Sequence, residues 1–141
     1  MKTASVFEYA TQVATTLSNT KHDIAKILWK YAKNIGCAFQ IQDDILGVFG
    51  KQSELGKPVT SDLAEGKKTM LMIKAKKMAS DLQSQKIYKL YANGATNEQR
   101  VSGILQIYDE LKIKDICKAE IFKHYQVALL KLESVNMLLE Y

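Results

Sequence analysis

The sequence predicts an all-α fold, and three observations support that prediction. Apolar residues recur every three or four positions through most of the 141 residues, which is the period of an amphipathic helix. No run of useful length alternates apolar and polar residues as a half-buried strand does. The chain contains one proline, so little in it forbids a helix interior. We therefore expect a single all-α domain over residues 1–141.

Two helices are expected in the first fifty residues. The first spans about residues 3–18, and the second runs from about residue 23 to residue 49. Between them, the stretch "SNTKHD" contains Ser, Asn and Asp, which are common N-cap residues. The first helix is predicted from an apolar stripe at helical spacing, formed by Val6, Ala10, Val13, Ala14 and Leu17.

A loop is expected over residues 50–66, because this stretch combines glycines with the only proline. From Lys67 onward the helical pattern resumes. The segments that carry it are residues 67–82, a short stretch at 84–94, residues 97–115 and residues 119–141.

Composition limits the possible functions. The 20 basic and 15 acidic residues give a net charge of +5, which favours anionic partners such as nucleic acid, anionic membrane or phosphorylated small molecules. The charge leaves nucleic-acid binding as a rival hypothesis, which salt-dependent DNA binding would test. The lysines are spread along the chain without a reading-helix motif or interleaved aromatic residues, so no nucleic-acid partner is expected. No apolar run approaches the roughly 20 residues of a membrane span, and stable membrane insertion is not expected.

Cellular location is suggested by what the sequence lacks. The N-terminal stretch "MKTASVFEYA" has no secretory signal pattern. Cys37 and Cys117 have neither zinc-site spacing nor a disulfide framework. A reducing cytoplasm is the expected compartment.

Two adjacent carboxylates stand out in the second helix. Gln40, Asp43, Asp44 and Gly47 lie at helical spacing and share one face, and Gly36 falls on the same stripe. Such a face resembles the wall of a cavity. Because two adjacent anions in an apolar setting are costly unless neutralised, we expect a positive charge close to them.

The following loop offers such charges. It contains Lys57, Asp62 and Lys67, the last followed by Lys68 at the expected start of the next helix. Lysine ammonium groups pair with phosphate, a helix start offers N–H groups to anions, and a glycine such as Gly66 lets backbone approach a ligand. Acids followed by spaced lysines suggest Mg²⁺ held between carboxylates and a phosphorylated ligand.

These motifs together resemble one known family. "FQIQDDILGVFG", then "GKPVTSDLAEGKKT", with "KTAS" about forty residues upstream, is similar to the C-terminal half of a trans-isoprenyl diphosphate synthase. This is the polyprenyl synthetase family, which includes the farnesyl and geranylgeranyl diphosphate synthases. The resemblance covers residues 2 to about 75, and the residues beyond it carry no motif.

The resemblance implies a prenyltransferase built as a helical bundle around a central cavity. Such enzymes join isopentenyl diphosphate to an allylic diphosphate, with Mg²⁺ held between two aspartate-rich motifs and the allylic diphosphate. Asp43 and Asp44 match the start of the second motif. Its third acid falls at Gly47, which places more of the metal load on Asp43. A cytoplasmic homodimer is implied for the full-length protein.

The resemblance also assigns roles to individual residues. Asp62 would support the lysines, and Phe39 with the gap at Gly36 would contribute an apolar pocket for the allylic cation. The catalytic residues would be Asp43, Lys57 and Lys67, and the metal ligands Asp43 and Asp44. The allylic diphosphate would be bound by Lys2, Thr3, Gln40, Lys57 and Lys67.

One departure from the family is large. The first aspartate-rich motif and the isopentenyl diphosphate site are expected upstream of "KTA", and the chain contains no second "DDxxD". We therefore expect a fragment, or a natural half-length subunit, that is inactive without the N-terminal half. The alternative is a non-catalytic helical subunit of a heteromeric synthase. A terpene cyclase shares the general fold, but the "GKPVTSDLAEGKKT" loop favours chain elongation.

Overall fold

The computed structural model describes residues 2–50, 60–92 and 94–139, and for Lys2, Asn136 and Leu139 it describes the backbone alone. All regular structure within those residues is helical, which confirms the predicted all-α class. The helices are α1 (Lys2–Leu17), α2 (His22–Phe49), α3 (Ser61–Ala64), α4 (Met70–Met78), α5 (Asp81–Tyr91), α6 (Asn97–Glu110) and α7 (Ile113–Leu139).

The first two helices were predicted to within one residue, but the later boundaries were not. The expected helix over residues 67–82 is wrong, because Thr69 and Ser80 each cap a separate helix. The Thr69 hydroxyl accepts from the N–H of Met72, and Ser80 forms a reciprocal capping box with Gln83. Local side-chain capping therefore divides one apolar pattern into α4 and α5.

Two further boundaries differ from the prediction. The helix expected over residues 97–115 ends at Glu110, and α7 begins at Ile113 rather than at residue 119. Lys112 between them has a φ of 51°, a left-handed conformation that cannot continue a helix. The expected loop 50–66 contains the short helix α3, and its residues 51–59 lie outside the described part of the chain.

The chain divides into two compact units. The first consists of Met1–Gln40 and Ala119–Tyr141, and the second of Ile41–Lys118. The boundaries fall within α2 and α7, so each of these long helices contributes to both units. A single domain over residues 1–141 stays a prediction.

The first unit is packed through small residues. At Gly36 in α2, a Cβ atom would lie 2.7 Å from the Cα of Ala4 in α1, so the two helix backbones approach as closely as glycine permits. Polar groups are also paired here: Trp29 Nε1 donates to Thr15 Oγ1 at 2.8 Å, and His124 Nδ1 lies 2.9 Å from Asn34 Oδ1. The buried apolar side chains of this unit include Ala4, Ala25, Ala32, Ala38, Ala128 and Val135.

The second unit has a core of larger aliphatic side chains. Helix α6 lies at its centre and packs against α3, α4 and α5. The fully buried side chains include Ile41, Leu63, Leu71, Ile104, Ile107, Tyr108, Ile113 and Cys117. This core holds the last turns of α2 and the start of α4, where the predicted site residues lie.

None of the described helices combines the length and the apolar character needed to cross a bilayer.

Candidate active site

The acid pair on α2 consists of two carboxylates in different environments. Asp43 is exposed, whereas Asp44 is 4% exposed. The Oδ2 atom of Asp44 accepts a hydrogen bond from the backbone N–H of Met70 at 2.8 Å. Adjacent positions on the helix therefore present one acid to solvent and one to the start of α4.

The positive charge expected beside the acids is Lys67. Its Nζ lies 2.9 Å from Asp62 Oδ2 and donates a hydrogen bond to it. That hydrogen bond raises the pKa of Lys67 above its usual value, partial burial opposes the shift, and the negative charges of Asp62, Asp44 and Asp43 add to it. Three carboxylates thus act on one ammonium group, and Asp62 supports Lys67 as predicted from the resemblance.

The turn that carries Asp62 and Lys67 is held by residues that sequence reasoning missed. Tyr91 donates from its hydroxyl to the carbonyl of Leu63 at 2.8 Å, and Arg100 Nη1 donates to the carbonyl of Ala64 at 3.3 Å. Both contacts satisfy carbonyls at the end of α3. Arg100 is the only arginine of the chain, and this is the one sequence feature that could have pointed to its role.

The structure gives a conformational and a packing reason for glycine at position 66. Its φ of +68° is the left-handed conformation that favours glycine, and a Cβ there would lie 3.0 Å from Cε1 of Tyr91. The close neighbour is therefore an aromatic ring that belongs to the fold. The approach of backbone to a ligand at Gly66 stays a prediction.

At the start of α4, two of the backbone N–H groups that were expected to face an anion have partners within the protein. Lys67 and Lys68 precede the helix, which begins at Met70 with Thr69 as its N-cap. The N–H of Met70 donates to Asp44 and that of Met72 donates to Thr69. Those two donors are engaged within the protein, so binding of an anion at this helix start would rest on the lysine side chains and the other N–H groups, and it stays a prediction.

In the first unit, Thr3 and Gln40 lie together. Thr3 Oγ1 donates to Gln40 Oε1 at 2.5 Å. This bond joins the "KTAS" stretch to the "FQIQDDILGVFG" stretch of the sequence. Phe39 is exposed and its ring centroid lies 5.8 Å from that of Phe7. The predicted gap at Gly36 is wrong, since the backbone of Ala4 fills that space.

Two of the predicted site residues cannot be placed. Lys57 lies in residues 51–59, outside the described part of the chain, and for Lys2 only the backbone is described. Their assignment to the allylic diphosphate stays a prediction.

The fit of Mg²⁺ can be judged from the donors present. Among the described side chains, no three His, Cys, Asp or Glu residues are arranged to hold a metal ion. Mg²⁺, however, is usually bound by one or two carboxylates together with phosphate oxygens and water. The exposed carboxylate of Asp43, with hard oxygen donors, fits that kind of site.

Comparison with known proteins identifies similar sequences and folds. The polyprenyl synthetase family model matches residues 1–108. A short chain isoprenyl diphosphate synthase of Methanocaldococcus jannaschii is 33% identical over 106 residues, which are 75% of this chain and 32% of that protein. A geranylgeranyl diphosphate synthase of Saccharolobus solfataricus is 34% identical over 120 residues, 83% of this chain and 36% of that protein.

A solved structure agrees in fold as well. The geranylgeranyl pyrophosphate synthetase of Pyrococcus horikoshii Ot3 superposes with a TM-score of 0.80 at 26% identity, over 94% of this chain and 40% of that one. The chain therefore spans about a third to two fifths of the length of the relatives it matches.

Proposed function

The chain belongs to the polyprenyl synthetase family, and from that membership we propose that it is part of a Mg²⁺-dependent trans-prenyltransferase. The reaction would join isopentenyl diphosphate to an allylic diphosphate. The single observation that supports this most is the charged cluster in the second unit. There the Nζ of Lys67 lies 2.9 Å from Oδ2 of Asp62, and the negative charges of Asp43 and Asp44 help to raise the pKa of Lys67. Acids and an ammonium group side by side suit a ligand that contains both a cation and a diphosphate.

The chemistry requires stabilisation of a leaving anion. Ionisation breaks the allylic C–O bond, and the electron pair stays on the departing diphosphate. When bound, Mg²⁺ supplies positive charge that lowers the barrier to this step. Asp43 would hold the metal. Lys67, and Lys57 by the resemblance, would donate N–H groups to the diphosphate oxygens, where fixed positive charge stabilises the developing anion.

The lysine geometry supports that role. An ammonium group has three N–H donors, so Lys67 can keep its bond to Asp62 and still donate to a phosphate oxygen. The bond to Asp62 also limits the positions of a long side chain, which reduces the entropy lost on binding. A new C–C bond to isopentenyl diphosphate then forms, and the proton released passes, by the family resemblance, to the departed diphosphate.

We propose further that this polypeptide alone does not catalyse prenyl transfer. The sequence contains one aspartate-rich motif, and the relatives it matches are more than twice as long. A metal held from one side would keep water in its remaining positions, and water captures an allylic cation. A cytoplasmic homodimer of the full-length protein also stays a prediction, which sedimentation and cell fractionation would test.

The test is an incorporation assay. The chain is incubated with radiolabelled isopentenyl diphosphate, dimethylallyl diphosphate and Mg²⁺, with and without a separately produced N-terminal half. We expect no product from the chain alone and product in the mixture, with loss of that product in Asp43→Ala. Steady product from the chain alone would contradict its inactivity. An active mixture that Asp43→Ala leaves unchanged would instead favour a non-catalytic subunit.

A further inference from the structure

The two adjacent acids of α2, Asp43 and Asp44, differ in their exposure to solvent. Asp43 is exposed, and Asp44 is 4% exposed. Mg²⁺ keeps several of its waters in most protein sites, so it needs a carboxylate with open space before it. Burial leaves Asp44 poorly suited to a hydrated ion and requires internal hydrogen bonds to offset its lost solvation.

Asp44 satisfies that requirement at the start of α4. Its Oδ2 accepts from the N–H of Met70, a residue 26 positions away and the first of the helix. Next to it, the buried hydroxyl of Thr69 accepts from the N–H of Met72. Helix N-termini carry unpaired N–H groups and a partial positive charge, and a carboxylate placed there stabilises the helix start.

The segment before α4 is fixed at both ends. At its beginning, the backbone N–H of Lys67 donates to the carbonyl of Asp62 at 3.0 Å, and the Lys67 ammonium donates to the Asp62 carboxylate. At its end, the N–H of Thr69 donates to the carbonyl of Lys67 at 2.8 Å, directly before the bond from Met70 to Asp44. Lys67 is therefore held by Asp62 on one side and is linked through Thr69 to the bond between Met70 and Asp44 on the other.

We propose that Asp44 is a positioning residue: it anchors the first turn of α4 and thereby places Lys67, while Asp43 is the carboxylate of the pair that meets the metal. The inference rests on the proposed function for the role of Lys67, and its geometry stands on the described contacts. It assigns a different role to each of two adjacent acids, whereas the resemblance implied that both are metal ligands, with more of the metal load on Asp43.

Isosteric variants separate an anchor from a metal ligand. Asparagine keeps an oxygen that can accept from the Met70 N–H but is a poor Mg²⁺ ligand, whereas alanine has neither property. The variants are Asp44→Asn and Asp44→Ala, with Asp43→Asn and Asp43→Ala as the matched pair. For each, the affinity for inorganic diphosphate is measured with and without Mg²⁺, and the gain due to Mg²⁺ is the ratio of the two dissociation constants.

We expect opposite patterns at the two positions. Asp44→Asn keeps the gain due to Mg²⁺, and Asp44→Ala weakens diphosphate binding by about tenfold with and without the metal, so the ratio is preserved. Both Asp43 variants lose the gain. Loss of the gain in Asp44→Asn, as in Asp43→Asn, would overturn the inference and make Asp44 a ligand. Asp44→Asn decides this point even if Asp44→Ala does not fold.

A second readout does not depend on diphosphate binding. In nuclear magnetic resonance, exchange of the Met70 amide should accelerate by about tenfold in Asp44→Ala and stay near wild type in Asp44→Asn. The Overhauser contact between the side chains of Lys67 and Asp62 should be lost in Asp44→Ala alone. If the wild-type chain shows no gain from Mg²⁺, the proposed function fails, and these two signals still test the anchor. Equal exchange and an intact contact in all variants would overturn it.

Discussion

The two units of the chain bury different kinds of residue. The first is packed through alanines and Gly36, and it carries most of the large apolar side chains that the structure leaves exposed, including Val6, Val13 and Leu17 on α1. The second buries isoleucines and leucines around α6 and carries the acid and lysine cluster. Close backbone approach organises the first unit, and aliphatic burial organises the second.

The largest effect is expected in the aliphatic core. Leu71→Ala in the second unit should lower the free energy of unfolding by about 2–5 kcal/mol, because its side chain is fully buried and a cavity would remain. Val13→Ala in the first unit should change it by less than about 0.5 kcal/mol, because Val13 is 57% exposed. Urea unfolding followed by circular dichroism measures both. Equal losses would contradict the contrast.

A comparable effect is expected on diphosphate affinity. Lys67→Ala should weaken binding by about 1.5–3 kcal/mol, the range for a charge-assisted hydrogen bond, and Lys57→Ala by a similar amount. Lys68→Ala is the matched control, since it removes a neighbouring exposed lysine of equal charge. Calorimetry at low salt measures all three variants. A loss in Lys68→Ala equal to that in Lys67→Ala would mean that general charge, and not the Asp62-paired ammonium, attracts the anion.

A smaller effect on stability is expected when each of the two glycines of α2 is replaced by alanine. Gly36→Ala should destabilise the chain by about 1–3 kcal/mol, because its Cβ would lie 2.7 Å from a backbone atom of Ala4. At Gly47 a Cβ would lie 3.6 Å from Asp62 Oδ2, an ordinary contact, so Gly47→Ala should stabilise the helix by about 0.5–1 kcal/mol. Thermal unfolding of the two variants compares them directly. Stabilisation by Gly36→Ala would show that the close approach of α1 is not a constraint.

The smallest effect concerns the pH dependence of the Lys67–Asp62 pair. The folded-state pKa of Lys67 is raised, so the contribution of the pair is complete below the unfolded pKa of about 10.4 and is lost as pH rises through the folded pKa. The difference in unfolding free energy between wild type and Lys67→Gln should therefore be constant from about pH 7 to 9.5 and shrink above that range. A difference that already falls by pH 8 would contradict the raised pKa.

The family resemblance implied the support that Asp62 gives to Lys67. From periodicity, which is a local signal, the sequence predicted the helical class and the limits of α1 and α2. It did not predict the helix boundaries that a single local feature determines, namely the N-caps Thr69 and Ser80 and the left-handed conformation of Lys112. It also could not show that Asp44 is buried and Asp43 exposed, because the burial of Asp44 depends on neighbours such as Met70, which comes close only after folding.

The most direct test of the proposed site is a calorimetric titration with an unreactive allylic diphosphate analogue, with and without Mg²⁺, on the wild-type chain and Asp43→Ala. We expect Mg²⁺ to strengthen binding to the wild type, and expect Asp43→Ala to lose that gain while it retains the weaker, lysine-dependent binding. Equal heats with and without Mg²⁺ in the wild type, or an unchanged gain in Asp43→Ala, would contradict a magnesium-diphosphate site at this cluster.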